Sequence, residues 1–120
     1  MAELWTPALV LDADVLEANL TTMSSALPGP RLRPHVKAHK CSALARRQVE
    51  LGHPGLTCAT VREVERLAAA GLGGDLLLAN EVLDTRRLGA VVDRYGARVT
   101  VAAATVSAES TAGCPRCWWT

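Results

Sequence analysis

Short apolar runs alternate with helical stretches along most of this chain, and their spacing constrains the fold more than any other feature. The runs start roughly 20 to 25 residues apart, at Thr6, Arg31, Leu56, Asp75 and Arg98. This rhythm is typical of consecutive βα units, in which right-handed helical crossovers join parallel strands. A doubly wound sheet can be complete at this length. A (βα)₈ barrel takes about 250 residues, so only about four of its eight strands would be present.

Cap residues and glycines bound the four predicted helices. Serine, threonine and aspartate favour the start of a helix, whereas glycine often follows its end. The predicted starts are Asp14 with Glu17, Ser42, and Thr60 with Glu63; the predicted stops are Ala26 before Pro28, Gly52, Gly71 and Gly96. Neither glycine-rich phosphate fingerprint, G-x-G-x-x-G or G-x-x-x-x-G-K-[ST], follows a predicted strand. A nucleotide-binding function therefore loses support.

Composition predicts one small domain with an aliphatic core. Of the 120 residues, 49% are apolar, there is no Phe, and the formal net charge is +1. The near-neutral charge disfavours nucleic acid or an anionic membrane as a partner. No apolar run reaches the length of a membrane span, and residues 1–5 do not resemble a secretory signal. We expect a cytoplasmic protein in which Cys41 and Cys58 are small buried side chains.

The last part of the sequence loses all periodicity. From Ala102 onward neither helical nor strand spacing is present, so we expect residues 104–120 to form an irregular tail. Cys114 and Cys117 form a C-x-x-C pair, which suits half a zinc site or a redox pair. No further ligands are spaced to complete a zinc site, so we predict no metal site in the chain.

The segment of residues 33–40, RPHVKAHK, holds both lysines of the protein. Strand alternation would place His35, Lys37 and His39 on one face, with an amine between two imidazoles. A neutral lysine amine attacks carbonyl groups, so the segment suits Schiff-base formation with a substrate or with pyridoxal phosphate. A neighbouring cation, Lys40 or a protonated histidine, would favour the neutral amine. The residues alone leave open a solvated rim, which is the more frequent arrangement of charged side chains.

Four stretches together resemble one enzyme family. These are TPALVLD, RLRPHVKAHK, TCATVREVERLAAAG and DLLLANEV, which lie within residues 6–101. They look like the N-terminal part of the D-threonine aldolase and eukaryotic-type D-serine dehydratase family, whose members are fold-type III, alanine racemase-like pyridoxal phosphate enzymes. RPHVKAHK is the most specific piece.

The resemblance implies an α/β fold, an incomplete TIM-type (βα) barrel with about the first four parallel strands and their helices. Residues 1–103 would be the N-terminal half of that barrel. Lys37 would bind pyridoxal 5'-phosphate covalently and act as the catalytic lysine, with His35 and His39 beside it and Asn80 on the same rim. The family's divalent metal is held by a C-terminal domain whose ligands this sequence does not contain.

The implied reaction is lyase chemistry on a D-hydroxyamino acid. D-Threonine would be cleaved to glycine and acetaldehyde, or D-serine converted to pyruvate and ammonia, and Lys37 serves both outcomes. One alternative is a non-catalytic pyridoxal phosphate-binding protein. Another is an inactive fragment, since a half barrel leaves sheet edges and apolar surface exposed and thereby favours association, including a homodimer.

Overall fold

A parallel sheet forms the centre of the computed structural model, which describes residues 5–102 and the backbone of residues 117–119. Its strands are β1 (Leu56–Cys58), β2 (Leu76–Leu78), β3 (Val99–Val101) and β4 (Cys117–Trp119), paired in that order and all parallel. Consecutive strands are neighbours, as in a singly wound βα barrel, whereas a doubly wound sheet reverses its order at a switch point. The predicted parallel α/β fold is confirmed.

Helices connect the strands. They are α1 (Ala13–Ala26), α2 (Ser42–Glu50), α3 (Val61–Ala69) and α4 (Thr85–Tyr95), and a short 3-10 turn spans Gly29–Arg31. Thr60 caps α3 as predicted, because its hydroxyl accepts a hydrogen bond from Glu63 N at 3.2 Å. Gly96 follows α4 with φ +62°, a left-handed conformation that suits glycine at a helix end.

The strands and the helices α2 to α4 together supply most of the buried apolar core. The fully buried side chains of the strands, none more than 1% exposed, are Leu56, Cys58, Leu76, Leu78, Val99 and Val101. These side chains share one face of the sheet, because they occupy alternate positions in register; on the other face Thr57 is buried, whereas Leu77 and Thr100 are only partly buried. Leu67 from α3 and Val92 from α4 pack in the same cluster. No helix in the described part of the chain is long and apolar enough to cross a membrane.

The predicted first strand, residues 6–12, is wrong. This segment is not part of the sheet, and its side chains are exposed, with Leu9 at 90%. An apolar run becomes a strand only when another strand supplies hydrogen-bond partners, and within residues 5–102 none lies beside it. Asp12 instead caps α1, its Oδ1 accepting from Val15 N at 3.0 Å, so the predicted capping box at Asp14 is also wrong.

The predicted second strand shrinks to one bridge, between His35 and Thr57. Thr57 N donates to Pro34 O at 2.7 Å, and Val36 N donates to Thr57 O at 2.9 Å. Pro34 has no N–H to extend the ladder, and the chain turns directly after Val36. The start of α2 also moves by one residue: its N-cap is Cys41, and Ser42 is the first helical residue.

The predicted irregular tail falls mainly on residues 104–116, which lie outside the described residues, as do the side chains of Cys114 and Cys117. Within that prediction the backbone of Cys117–Trp119 is a strand, paired in parallel with β3. That short piece of the tail is therefore regular.

An ion pair ties the opposite edge of the sheet, where β1 and β2 begin. Arg33 Nη2 lies 2.7 Å from Asp75 Oδ2, and Arg98 Nη2 lies 3.7 Å from Asp75 Oδ1. Gly55 lies against the Arg33 guanidinium, because a Cβ atom built on it would fall 2.7 Å from Asp75 Oδ2 and closer still to Arg33. The site residues all lie at the other edge.

Candidate active site

The candidate residues collect at the edge where β1 and β2 end, called here the carboxyl edge. His35 lies beside Thr57 of β1, Lys37 follows two residues later, and Asn80 follows the end of β2 by two residues. The carboxyl ends of parallel strands all lie at one edge, where α/β folds place their binding sites. The fold therefore brings His35, Lys37 and Asn80 to the same side of the molecule.

Lys37 lies in a tight turn, residues 36–40, called here the lysine turn. Its closing bond runs from Lys40 N to Val36 O at 2.8 Å, and Lys40 has φ +50°, which is uncommon for a residue with a side chain. Lys37 and Ala38 are both exposed. The predicted strand alternation of His35, Lys37 and His39 is wrong, because the backbone reverses after Val36.

The two imidazoles bond to the backbone of this segment. His35 Nδ1 accepts from Lys37 N at 3.2 Å, and His39 Nδ1 accepts from Cys41 N at 3.0 Å. A ring nitrogen that accepts carries no proton, so these contacts favour the neutral ring with its proton on Nε2. Burial lowers the pKa of His39, which also favours the neutral form. Both ring Nδ1 atoms are therefore engaged by the backbone of this segment rather than by the Lys37 amine.

The two lysines differ in their partners. Lys40 Nζ donates a short hydrogen bond to Glu63 Oε1, and the Glu63 side chain is only 7% exposed. The Lys37 amine has neither a hydrogen bond nor an ion pair with any residue that the structure describes. Because the Lys40 nitrogen contacts a carboxylate and the Lys37 nitrogen has no such partner among the described residues, Lys37 is the more accessible amine. The Lys40 charge that was expected to act on Lys37 is directed at Glu63.

Glu63 belongs to this edge, although the sequence pattern marked it only as the partner of Thr60 in a capping box. Its Oε2 accepts from the backbone N–H of Ala59 at 2.7 Å, and Ala59 is the residue just before the N-cap Thr60. Burial raises the pKa of Glu63, but the hydrogen bonds from Lys40 and Ala59 outweigh burial and hold it below its ordinary value. Lys40 and Glu63 are 23 residues apart in sequence, so no local sequence pattern predicts that they form a pair.

Asn80 joins the ends of β1 and β2. Its Nδ2 donates to Ala59 O at 3.0 Å, and its Oδ1 accepts from Glu81 N at 3.0 Å. Ala59 is thus held on both sides, by Glu63 through its N–H and by Asn80 through its carbonyl. A continuous series of polar contacts, Lys40–Glu63–Ala59–Asn80, crosses the carboxyl edge.

Cys58 does not compete as a nucleophile at neutral pH. Burial, together with the nearby charge of Glu63, raises the pKa of its thiol to about 12. The thiolate is the reactive form of cysteine, so a thiol with this pKa is inert in ordinary buffers.

An open groove of about 730 Å³ lies beside the ion pair of Lys40 and Glu63. Val36, Lys40, Thr60 and Glu63 line one part of it, and α3 supplies most of the rest, whereas Lys37, His35 and His39 are not among its lining residues. Within the described residues, no group of three or more His, Cys, Asp or Glu side chains is arranged to hold a metal ion.

Known proteins are similar to this chain in both sequence and fold. The chain is 42% identical over 90 residues to a D-threonine aldolase of Arthrobacter sp, covering 73% of this chain and 24% of the relative. It is 36% identical over 112 residues to a D-threo-3-hydroxyaspartate dehydratase of Delftia sp. (strain HT23), covering 82% and 29%. The crystal structure of D-threonine aldolase from Filomicrobium marinum superposes with a TM-score of 0.69 at 40% identity, covering 80% of this chain and 27% of that one.

These matches define what part of a larger protein the chain resembles. It spans 24% to 29% of the length of the relatives named above. The family described as alanine racemase, N-terminal domain, matches residues 11–112, which include the lysine turn, the polar contacts of the carboxyl edge and β1 to β3. By this match, and by its parallel βα architecture, the chain belongs to the alanine racemase N-terminal domain family.

Proposed function

We propose that this chain is part of a pyridoxal 5'-phosphate-dependent lyase that acts on D-configured β-hydroxy amino acids, with Lys37 as the residue that binds the cofactor. The observation that carries the proposal is the Lys37 amine, exposed on a tight turn at the carboxyl edge and without a partner among the described residues. The relatives support the substrate class, since their names specify D-threonine and D-threo-3-hydroxyaspartate.

The residues of the carboxyl edge fit an aldehyde cofactor. Lys37 offers a primary amine that its surroundings leave accessible, and the other lysine is held by Glu63. When bound, pyridoxal phosphate supplies an electron sink for bonds broken at the substrate's α-carbon. His35 contributes by accepting a hydrogen bond from the backbone N–H of Lys37. This bond fixes the backbone of Lys37 and thereby the direction in which its side chain points away from the turn. The family resemblance assigns the phosphate-binding groups to later strands of the family's barrel.

The finer features of the proposal follow the family resemblance. Residues 1–103 form the N-terminal half of a TIM-type barrel, and His39 and Asn80 lie in the cofactor's surroundings together with His35. A divalent metal would be held by a further domain. Lys37 is common to aldol cleavage and β-elimination, so groups outside this chain decide between them. A homodimer and a cytoplasmic location belong to the same proposal.

Cofactor attachment is the test. The purified chain is mixed with pyridoxal 5'-phosphate, the visible absorption band of the imine is recorded, and borohydride then fixes the cofactor for peptide mapping by mass spectrometry. We expect a band, and modification at Lys37. Lys37→Ala and Lys37→Arg should both lose the band, because neither side chain presents a neutral amine. Arg86→Ala, which removes an exposed cation of α4, should keep it.

Two results would contradict the proposal. A band that survives in Lys37→Ala would exclude Lys37 as the attachment site. A band without turnover of D-threonine or D-serine in the longer protein, with a divalent metal present, would favour a non-catalytic pyridoxal phosphate-binding protein.

A further inference from the structure

We propose that Glu63 is a positioning residue that acts through Lys40. It anchors the end of the lysine turn, and it withholds the Lys40 amine from carbonyl compounds, so that attachment is confined to Lys37. The part of this inference that concerns Lys37 rests on the proposed function. The part that concerns Lys40 does not, because the reactivity of Lys40 toward an aldehyde is measured separately.

The lysine turn is held at two places. At its start, Val36 N donates to Thr57 O at 2.9 Å, which fixes the turn to β1. At its end, Lys40 Nζ donates to Glu63, a residue of α3. Between these points Lys37 and Ala38 are exposed, and His39 is only partly buried. Without the contact to Glu63, the lysine turn would lose its link to α3 and keep its backbone link to β1 at Val36.

Glu63 is well placed to act as an anchor because its carboxylate is itself fixed. The side chain is 7% exposed, and its second oxygen accepts from Ala59 N at 2.7 Å. Ala59 in turn is held by Asn80. Lys40 is 65% exposed, and its backbone is left-handed. A residue in this uncommon conformation needs support from its surroundings, and the fixed carboxylate of Glu63 supplies it.

The same contact suppresses the reactivity of Lys40. Imine formation joins the amine nitrogen to the aldehyde carbon and releases water, which takes the carbonyl oxygen and two amine protons. The nitrogen must present its lone pair to the aldehyde carbon, and in the folded chain it is directed at the Glu63 carboxylate, a contact that an aldehyde would have to displace. Removing the negative charge of Glu63 therefore releases Lys40 to react as an ordinary surface lysine.

Competitive labelling tests this inference. The full chain is treated with limiting pyridoxal 5'-phosphate, borohydride delivers hydride to the imine carbon and traps it as a secondary amine, and peptide mapping gives the yield at each lysine. We expect Glu63→Gln to raise labelling at Lys40 several-fold, because the Lys40 amine loses its charged partner. Glu65→Gln is the matched control, because Glu65 lies on the same helix and pairs with Arg87 instead, so labelling at Lys40 should not change.

A second pair of variants tests the anchor. Lys40→Met removes the ion pair and should slow labelling at Lys37 several-fold, on the order of threefold to tenfold. Lys40→Arg keeps a cation that can reach Glu63 but cannot form an imine, so it should restore most of the Lys37 rate. High salt should raise Lys40 labelling in the unmodified chain, because Lys40 is largely exposed and its ion pair is screened.

The outcomes separate this inference from the proposed function. Unchanged Lys40 labelling in a folded Glu63→Gln variant, judged by far-ultraviolet circular dichroism, would overturn the withholding role. Equal Lys37 rates in Lys40→Met and Lys40→Arg would overturn the anchoring role. An unmodified chain labelled at neither lysine would reject the function of Lys37, whereas new labelling of Lys40 in Glu63→Gln would still support the role of Glu63.

Discussion

At the scale of single residues, Glu63 is a buried carboxylate that receives one hydrogen bond from an ammonium group and one from a peptide N–H. These donors hold its pKa below the ordinary value of a glutamate despite burial. A carboxyl group whose pKa is lower in the folded state stabilises the fold above its ordinary pKa, and that stabilisation is lost as the pH falls through the folded value.

A pH series of unfolding experiments checks this. We expect the free energy of unfolding of the unmodified chain to decrease as the pH falls below about 4.5, the usual range of a glutamate. Glu63→Gln should show a shallower decrease, because glutamine does not titrate. Glu81→Gln, at an exposed position, is the control and should keep the original slope. Equal slopes for all three proteins would contradict the prediction.

Gly55 is a second residue whose identity the structure explains. An added Cβ would fall 2.7 Å from Asp75 Oδ2 and closer to the Arg33 guanidinium, so Gly55→Ala must displace this ion pair. We expect Gly55→Ala to lower the free energy of unfolding by about 1–3 kcal/mol, the usual cost of inserting a methyl group into an occupied space.

Gly74→Ala is the matched control for that substitution. A Cβ at Gly74 meets nothing within 4 Å, so the variant should be as stable as the unmodified chain or up to about 1 kcal/mol more stable. Urea unfolding of the two variants compares them directly. A Gly55→Ala variant that is no less stable than Gly74→Ala would show that the ion pair relaxes freely.

At the scale of elements, α1 is attached differently from the other helices. None of its residues is buried, and its side-chain link to α2 is a two-pronged pair, Arg47 Nε and Nη2 lying 3.1 Å and 2.7 Å from the oxygens of Glu17. By contrast, α3 and α4 bury an apolar stripe against the sheet. A helix that buries no side chain depends on such links for its position.

Glu17→Gln should therefore loosen α1 alone. We expect faster amide hydrogen exchange in α1, with α3 and α4 unchanged, since their protection comes from the core. The control is Glu50→Gln, whose carboxylate lies 3.9 Å from the same guanidinium and makes a weaker contact. Equal exchange in α1 for both variants would argue against the Glu17 link.

The elements also show which structures were predictable from sequence. Thr60 and Gly71 bound α3 because caps act within one helical turn, and the start of α3 and the stop of α4 at Gly96 were predicted correctly for the same reason. The strand predicted over residues 6–12 failed because pairing needs a partner distant in sequence. The lysine turn was not predicted, because no residue type near Lys40 indicates that its backbone is left-handed.

The candidate site was predictable to a similar extent. Residues 35–40 of the RPHVKAHK segment lie at the carboxyl edge together with Asn80, because both positions follow from where strands end, whereas Arg33 lies at the opposite edge. Glu63 was missed as a site residue, since its contact with Lys40 depends on how α3 packs beside the lysine turn. The roles of His35, His39 and Asn80 toward a cofactor remain predictions.

At the scale of the whole molecule, the segment before α1 presents apolar side chains to solvent. Leu9, Val10 and Leu11 are all exposed, and Val15 extends the strip onto the first turn of α1. Large apolar side chains that are exposed close together in sequence favour association with other apolar surface. We expect the 120-residue chain to sediment as larger species with increasing concentration.

Leu9→Lys should shift the sedimentation profile toward the monomer. Leu83→Lys provides the control, because Leu83 is also highly exposed, at 99%, but lies after β2 rather than in residues 9–15. Sedimentation velocity of the three proteins over a range of concentrations separates the cases. A similar shift in both variants would indicate a general effect of added charge rather than a specific surface.

The position of Ala59 has a spectroscopic consequence. Its N–H donates to the Glu63 carboxylate, and its carbonyl, which belongs to the next peptide group, accepts from the Asn80 amide, so the backbone of this one residue contacts both Glu63 and Asn80. Titration of Glu63 would move the Ala59 amide signal, and displacement of Lys40 would move it again. A backbone nucleus with no chemical role could thus serve as a built-in probe of the state of the lysine turn.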